Sequence, residues 1–246
     1  MAVRVYGGPL SGDPFTDRRR TGIGGSDTGA ILGVSPFASA LSVWEQKRGL
    51  VPPGATEPSE RMVWGGRLEG AILSGYEEDY GRKVRKGTFR RHAEYPFVIG
   101  HPDALTDDRL IEVKTTAVLD SQWGDEGSAD VPPHYYSQVQ HYLILTGLPI
   151  ADLVALVGGR ELHVFTIPED GPFQSALLDE EERFWRLVTD DSPPDPDGSA
   201  SAGATLRRMF PRAIPEEVVA TPEVAAYADA WLDARAAKDA AELEED

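Results

Sequence analysis

The chain has 246 residues, no cysteine and a formal net charge of −17. That length holds one large domain, or one domain with an appendage, and buries a core without covalent staples; the lack of cysteine excludes disulfides and thiolate zinc sites. No apolar run approaches the roughly 20 residues of a membrane span, and Met1 to Leu10 lacks the basic and apolar stretches of a secretion signal, so a cytoplasmic protein without a membrane partner is expected.

In chain order, Gly22 to Leu32 reads as a glycine-rich turn entering a short helix, with Ser26 or Asp27 able to cap it. Ala40 to Arg48 is a second helix, with Leu41, Val43 and Trp44 inward and Gly49 as its stop. A Pro/Gly loop from Val51 to Pro58 leads to a longer helix, Ser59 to Tyr80. There Leu68, Ile72, Tyr76 and Tyr80 recur every fourth residue and Gly81 closes it. Extended segments follow at Val84–His92, Tyr95–Ile99 and Leu110–Thr115, with Asp107-Asp108 as a hairpin turn between the last two. Pro133 opens a helix that runs to Leu145. Ala151–Val157 and Glu161–Ile167 flank Gly158-Gly159 as a hairpin. Phe173 to Thr189 is amphipathic, with Leu177, Phe184, Trp185 and Val188 inward. This order predicts an α/β fold, a central mixed sheet flanked by helices. The domain spans 1–190, a Pro/Asp/Ser/Gly-rich linker 191–203, and a helical appendage 204–246 containing Leu206–Pro211 and an acidic helix from Thr221 to about Ala241.

The net charge argues against a nucleic-acid partner until its distribution is considered. Residues 1–120 carry 16 Lys/Arg and 16 Asp/Glu, whereas residues 121–246 carry 8 and 25. The basic side chains of the first half cluster at Arg18-Arg19-Arg20 and from Arg82 to Arg91, and local field governs contact with a phosphate backbone. Solvated surface is the alternative reading of those clusters.

The chemistry concentrates at Gly100-His101-Pro102-Asp103 and Leu110-Ile111-Glu112-Val113-Lys114. Alternate side chains of a strand share a face, so Glu112 and Lys114 point one way and Val113 the other. Asp103 and Glu112 offer carboxylate oxygens from neighbouring strands, with the Val113 carbonyl as a further ligand if the strand ends there, a set suited to Mg²⁺. Lys114 beside a bound water can orient it, deprotonate it, or stabilise charge on a phosphate. Glu69, flanked by Gly65, Gly66 and Gly70, is a third carboxylate; glycines within a helix cost about 1 kcal/mol each, which points to close approach by a ligand or a strand. The alternatives are an ordinary hairpin ion pair and a surface glutamate.

Arranged in order, these and other blocks resemble the lambda-exonuclease/YqaJ-like viral recombinase family of the PD-(D/E)xK nuclease superfamily. They are Arg20-Thr21-Gly22-Ile23-Gly24-Gly25-Ser26-Asp27, Ile31 to Phe37, Ser42 to Lys47, Gly66-X-Leu68-Glu69, Gly100 to Ala104, Ile111 to Thr116, and Tyr135-X-X-Gln138-X-Gln140. The resemblance implies a restriction-endonuclease-like core and a Mg²⁺-dependent exonuclease (Mn²⁺ substituting) that resects linear duplex DNA from 5′ to 3′ for phage-type recombination in a bacterial host. It implies that Glu69, Asp103, Glu112 and the Val113 carbonyl hold metal, that Lys114 is the catalytic lysine, and that Gln138 supports the site. Arg20, or Arg19 next to it, and Ser26 match a 5′-phosphate pocket; a serine with backbone N–H groups at a helix start is an anion site on its own account. A single-strand annealing recombinase as partner and a trimeric ring are further implications. The sequence departs from the family in reading His101-Pro102-Asp103-Ala104 where Ser-Pro-Asp-Gly is common, and in its acidic second half. An endonuclease on specific or branched DNA, or a non-catalytic binding member of the fold, are the other readings.

Among the remaining residues, His101 reads as a turn residue or a ligand, and His134 and His141 share a face as core residues or a zinc pair. Tyr135 and Tyr142 pack in the core or stack on a base. Trp44, Trp64, Trp123 and Trp185 read as packing residues, with Trp123 alternatively a wedge at a DNA end.

Overall fold

The computed structural model describes residues 14–51, 59–212, 219 and 221–244; apart from Val51, the expected Pro/Gly loop lies outside them. The chain divides into two compact units, one ending at Met209 and one beginning at Phe210. The first carries α1 (Pro14–Arg19), α2 (Gly25–Ile31), α3 (Ala40–Lys47), α4 (Glu60–Tyr80), β1 (Arg85–Lys86), β2 (Arg90–Arg91), β3 (Ile99–Gly100), β4 (Ala104–Leu105), β5 (Leu110–Thr116), α5 (Pro133–Thr146), β6 (Ile150–Val157), β7 (Glu161–Pro168), α6 (Gly171–Thr189) and α7 (Ala200–Met209). The second carries α8 (Pro222–Glu244).

The helix ends follow their local chemistry. The Ser59 hydroxyl accepts from the Met62 amide at 3.3 Å and Gly81 closes α4 with φ 62°, where a side chain would be strained. Proline opens α5 and Gly147 closes it at φ 68°. The Asp170 carboxylate accepts from the Phe173 amide at 3.0 Å to start α6, satisfying a donor that the helix leaves open.

Five strands form a mixed sheet in the order β1-β4-β5-β6-β7. All neighbours are antiparallel except β5 and β6, which run parallel along seven register pairs from Leu110↔Ala151 to Thr116↔Val157. On one face of the sheet, Ile72 and Tyr76 of α4 pack on Ala104, Ile111, Val154 and Val164. On the other, Val139 and Leu143 of α5 pack on Leu110, Leu153, Phe165 and Ile167. A third cluster joins α2, α3 and α6 through Ile31, Leu41, Trp44, Phe184 and Val188. Beneath α4, buried Asp152 on β6 accepts from both Arg109 (2.9 Å to each oxygen), the Tyr76 hydroxyl (2.5 Å) and the Thr166 hydroxyl (2.9 Å).

Two expectations change. The hairpin partner of β5 is Ala104–Leu105 rather than Tyr95–Ile99, because Asp107-Asp108 makes a tight turn, closed by the Thr106 amide donating to the Arg109 carbonyl at 2.9 Å, and so pairs the nearest residues. Ile99 instead pairs with Arg91 in a separate two-stranded ribbon, β2–β3. The division between units also falls later than 191–203. Within the first unit α7 packs on α3, with Arg208 2.5 Å from buried Glu45 and the Ser201 and Ser39 hydroxyls 3.4 Å apart.

Candidate active site

β4 and β5 bring the predicted acids together. Asp103, just before β4, accepts a hydrogen bond from the Val113 amide at 2.8 Å. Glu112 is 2 % exposed; its Oε1 accepts from Lys114 Nζ at 2.7 Å and from Gln138 Nε2 at 2.6 Å, and Lys114 also donates to Gln138 Oε1 at 3.0 Å. The Lys114 ammonium lies 4.9 Å over the Tyr135 ring, a further cation-stabilising contact. So Asp103, Glu112, Lys114 and Gln138 form one connected cluster between the sheet and α5. The strand does not end at Val113; it continues to Thr116. The Val113 carbonyl is placed by the strand geometry on the β4 side. The N–H and C=O of a strand residue leave on the same side, the Val113 N–H faces Asp103, and β4 is too short to pair beyond Ile111.

Three carboxylates share this corner with the buried Lys114 ammonium and, at its exposed edge, Lys86, 3.9 Å from Glu69. Burial pushes the Glu112 pKa up to about 8, Asp103 and Glu69 add to the rise, and Lys114 only partly offsets it. Burial and then Asp103 raise Glu69; burial raises Asp103 against the pull of Lys114 and the Val113 amide. For Lys114, burial opposes its charge, but Glu112 and Asp103 together outweigh burial and raise its pKa, so it is an ammonium at neutral pH. Glu112 Oε2 is buried without a hydrogen-bond partner, an arrangement that is costly unless something fills the gap. Unbalanced negative charge with an orphaned carboxylate oxygen fits a divalent cation. Among the described residues no three His, Asp or Glu side chains lie close enough to hold an ion by themselves. A hard divalent cation that takes one or two carboxylates and keeps several waters is compatible with such a set.

A pH dependence follows. The folded pKa of Glu112, about 8, exceeds its ordinary 4.5. The folded chain therefore retains a proton that the unfolded chain gives up, and stability is lost as pH rises through this window. Without metal, the wild-type melting temperature should fall between about pH 4.5 and 8 more steeply than that of Glu112→Gln; equal slopes in thermal unfolding would count against an unbalanced Glu112 carboxylate.

A cavity of about 480 Å³ adjoins the cluster, lined by Arg18, Arg19, Gly24, Ser26, Lys47, Phe89, Ile99, Gly100, His101 and Tyr142. Of the two arginines matched to the phosphate pocket, Arg19 lines it, with Nη2 3.1 Å from the Ser26 hydroxyl. Arg20 does not. It is 4 % exposed, with its guanidinium against the Gly49 backbone and 3.5 Å from the Arg48 carbonyl, because the end of α1 turns consecutive side chains to different sides. Sequence reasoning missed Lys47, which is 3 % exposed, 2.5 Å from Asp27 Oδ2 and 2.8 Å from the Arg19 carbonyl. Its signal was a lysine within an otherwise apolar helix face. Asp27 also accepts from the Gly24 amide at 2.8 Å and from Arg19 at 3.3 Å. Burial resists the Asp27 charge, but Lys47 and Arg19 hold its pKa below the ordinary value.

Other candidates fall elsewhere. Trp123 packs against Phe165 (4.9 Å between centroids) and Tyr135 (5.7 Å), which removes it as a wedge. Trp64 is 52 % exposed with Arg67 over its ring, so it is not a core residue. No described strand approaches Gly66 or Gly70, since a Cβ at either would meet open space among the described residues. Within the second basic cluster, Arg82 pairs with Asp108 and Arg85 with Asp107.

Solved structures with a similar fold include the alkaline exonuclease LHK-Exo from Laribacter hongkongensis (TM-score 0.56, 18% identity, 72% of this chain and 92% of that one). A complex of LHK-Exo with dAMP aligns with TM-score 0.56 at 19% identity over 79% of this chain and 96% of that one. A phage-related exonuclease from Haemophilus somnus 129PT aligns with TM-score 0.52 at 16% identity over 72% and 100% of the two chains. The fold is thus the PD-(D/E)xK fold of phage-type exonucleases. Residues 14–149, more than half of the chain, match the YqaJ-like viral recombinase domain, and the chain belongs to that family. The uncharacterized protein YqaJ of Bacillus subtilis (strain 168) is 32% identical over 208 residues, 82% of this chain and 64% of the relative, so the chain spans just under two thirds of that protein. No helix among the described residues is long and apolar enough to cross a membrane.

Proposed function

We propose that the chain is a Mg²⁺-dependent exonuclease that hydrolyses linear duplex DNA from a 5′-phosphorylated end, leaving 3′ single strands for phage-type recombination. The observation that carries this reading is the buried Glu112, held by Lys114 and Gln138 and coupled to Asp103, beside a cavity lined by Arg18, Arg19, Lys47 and Ser26. A cationic pocket next to a carboxylate–lysine cluster suits a DNA end whose terminal phosphate is anchored while a phosphodiester nearby is cut. A trimeric ring and an annealing recombinase as partner belong to the same reading.

Asp103, Glu112 and the Val113 carbonyl would hold the cation, with Glu69 adding negative charge nearby and reaching it through a water. When bound, the cation supplies Lewis acidity toward a phosphate oxygen and an acidified water. Gln138 fixes Glu112 through its amide. Lys114, charged at neutral pH, orients the attacking water and donates to the phosphate oxygens as negative charge grows on them. The water oxygen joins phosphorus as the P–O3′ bond breaks, so the phosphate stays on the new 5′ end. Each turnover thereby recreates the group that the cavity holds.

The test is incubation with Mg²⁺ of linear duplex carrying either 5′-phosphate or 5′-hydroxyl ends, and of a covalently closed circle. Release of nucleotides from the linear duplex alone, faster from phosphorylated ends, is expected. Ser26→Ala should narrow the difference between the two ends. Cutting of the circle would identify an endonuclease, and no cleavage of any substrate would identify a non-catalytic member of the fold.

A further inference from the structure

One ion pair behind the cavity has no part in the chemistry above. His141 on α5 and Glu181 on α6 are both 0 % exposed. His141 Nδ1 lies 2.6 Å from Glu181 Oε1, and Nε2 lies 2.8 Å from the Ile99 carbonyl. A carbonyl only accepts, so Nε2 carries a proton; the facing carboxylate favours a second on Nδ1. Burial opposes the charge on the ring, but Glu181 and the Ile99 carbonyl, with Asp27 behind them, outweigh it and raise the His141 pKa. Both ring nitrogens are thus engaged, which leaves neither for a zinc ion.

The carbonyl that His141 grips sits at a junction. The Ile99 amide donates to the Ile23 carbonyl at 2.9 Å, and the Ile23 amide to the Phe97 carbonyl at 2.7 Å. Tyr142, the next residue of α5, lies against two glycines. A Cβ on Gly100 would come within 2.5 Å of its ring, and one on Gly25 within 2.8 Å, so neither position tolerates a side chain without movement. At this point α5, β3 and the entrance to α2 are fastened together. Gly24, Ile99, Gly100, His101 and Tyr142 line the cavity. Asp103 follows three residues after Gly100, and Gln138, one turn before His141, holds Glu112.

We propose that His141, which any hydrogen-bonding side chain at position 181 can hold in place, is a positioning residue that fixes the separation between the end-binding cavity and the Glu112–Lys114 cluster. The role rests on reading the cluster as a nuclease site. Neither residue touches substrate. An apolar pair of similar volume would fill the space without the desolvation cost that a buried ion pair carries; it would lack the directed bond to a single carbonyl. Misplacement by about 1 Å from a change remote from the chemistry can cost about 100-fold in rate, so the bond can matter without any contact to DNA.

The experiment compares His141→Gln and Glu181→Gln with wild type. In Glu181→Gln the amide can donate to Nδ1 of a neutral imidazole while Nε2–H still reaches Ile99, so kcat within about 3-fold of wild type is expected. In His141→Gln the double link is broken, and kcat should fall about 10- to 100-fold with KM for linear duplex changed much less. Amide hydrogen exchange read by mass spectrometry supplies a measure independent of cleavage. Exchange over residues 97–103 should quicken about 10-fold or more in His141→Gln and stay near wild type in Glu181→Gln, while the β6–β7 hairpin is unaffected. Unchanged exchange at 97–103, faster exchange throughout the chain, or an unchanged kcat in His141→Gln would each overturn the proposal. If wild type fails to cleave any DNA, the nuclease reading falls, and the exchange pattern alone decides whether His141 fastens this junction.

Discussion

Replacing Lys114 with alanine should slow nucleotide release by about 10²- to 10⁴-fold, the range over which a positioned proton-transfer or charge-stabilising group acts. The ammonium is the hub of the cluster, 2.7 Å from Glu112, 3.0 Å from Gln138 and 4.9 Å over the Tyr135 ring. Its removal takes away the cation that offsets Glu112 among the described residues, while burial and Asp103 continue to disfavour that carboxylate. The variant should still fold if Glu112 takes up a proton, which its pKa of about 8 already favours, so that no unpaired carboxylate is buried in place of the ion pair. Single-turnover cleavage of 5′-phosphorylated duplex at saturating enzyme is the measurement. A rate within 3-fold of wild type would take Lys114 out of the chemistry. Lys114→Arg should not restore the rate, since a planar fork cannot replace a compact ammonium in a pocket shaped by Gln138 and Tyr135.

The second large effect is on stability. Asp152→Ala should cost about 3–5 kcal/mol, the usual penalty for stranding the partners of a buried charge. Asp152 is 2 % exposed and takes hydrogen bonds from Arg109, Tyr76 and Thr166; without it the phenol loses its acceptor and the guanidinium keeps only the exposed Asp108, 3.3 Å away. Tyr76→Phe should cost less, about 0.5–1.5 kcal/mol, and the double variant should cost less than the two single losses added together, as expected for groups in one network. Urea unfolding monitored by tryptophan fluorescence measures all three. A loss below about 1 kcal/mol for Asp152→Ala would show that the network contributes little. Because Tyr76 lies two turns from Glu69 on the same face of α4, the same anchor sets where that carboxylate hangs over the sheet.

Much of this architecture was legible because its signals are local. Ser59 and Gly81 bracket α4, Pro133 opens α5, and Gly158-Gly159 turns β6 into β7. The Glu112-X-Lys114 alternation needs only a strand to put both side chains on one face. Illegible parts depend on partners distant in sequence. Two-residue strands such as β1 and β4 have no period to read, so nothing in Tyr95–Ile99 showed that it would lose the pairing with β5 to Ala104–Leu105. Arg19 and Arg20 are chemically identical neighbours, and the choice between them is made by Gly49 and Arg48, against which Arg20 packs. Asp152 hides in a run of apolar strand residues. Glu181 lies between Leu177 and Phe184 on the apolar stripe of α6, and an acid on such a stripe is the one signal that could have flagged it.

The parallel pairing of β5 with β6 has a consequence for how the protein is made. Glu69, Asp103, Glu112 and Lys114 all leave the ribosome before α5, yet β5 has only the two residues of β4 beside it until the chain has been extended through Val157. During that interval Gln138 has no fixed place, and one edge of β5 is bare along its whole length, an invitation to wrong pairing. A chain cut short before Ile150 thus holds its acids and its lysine in order along the sequence and has no site in space.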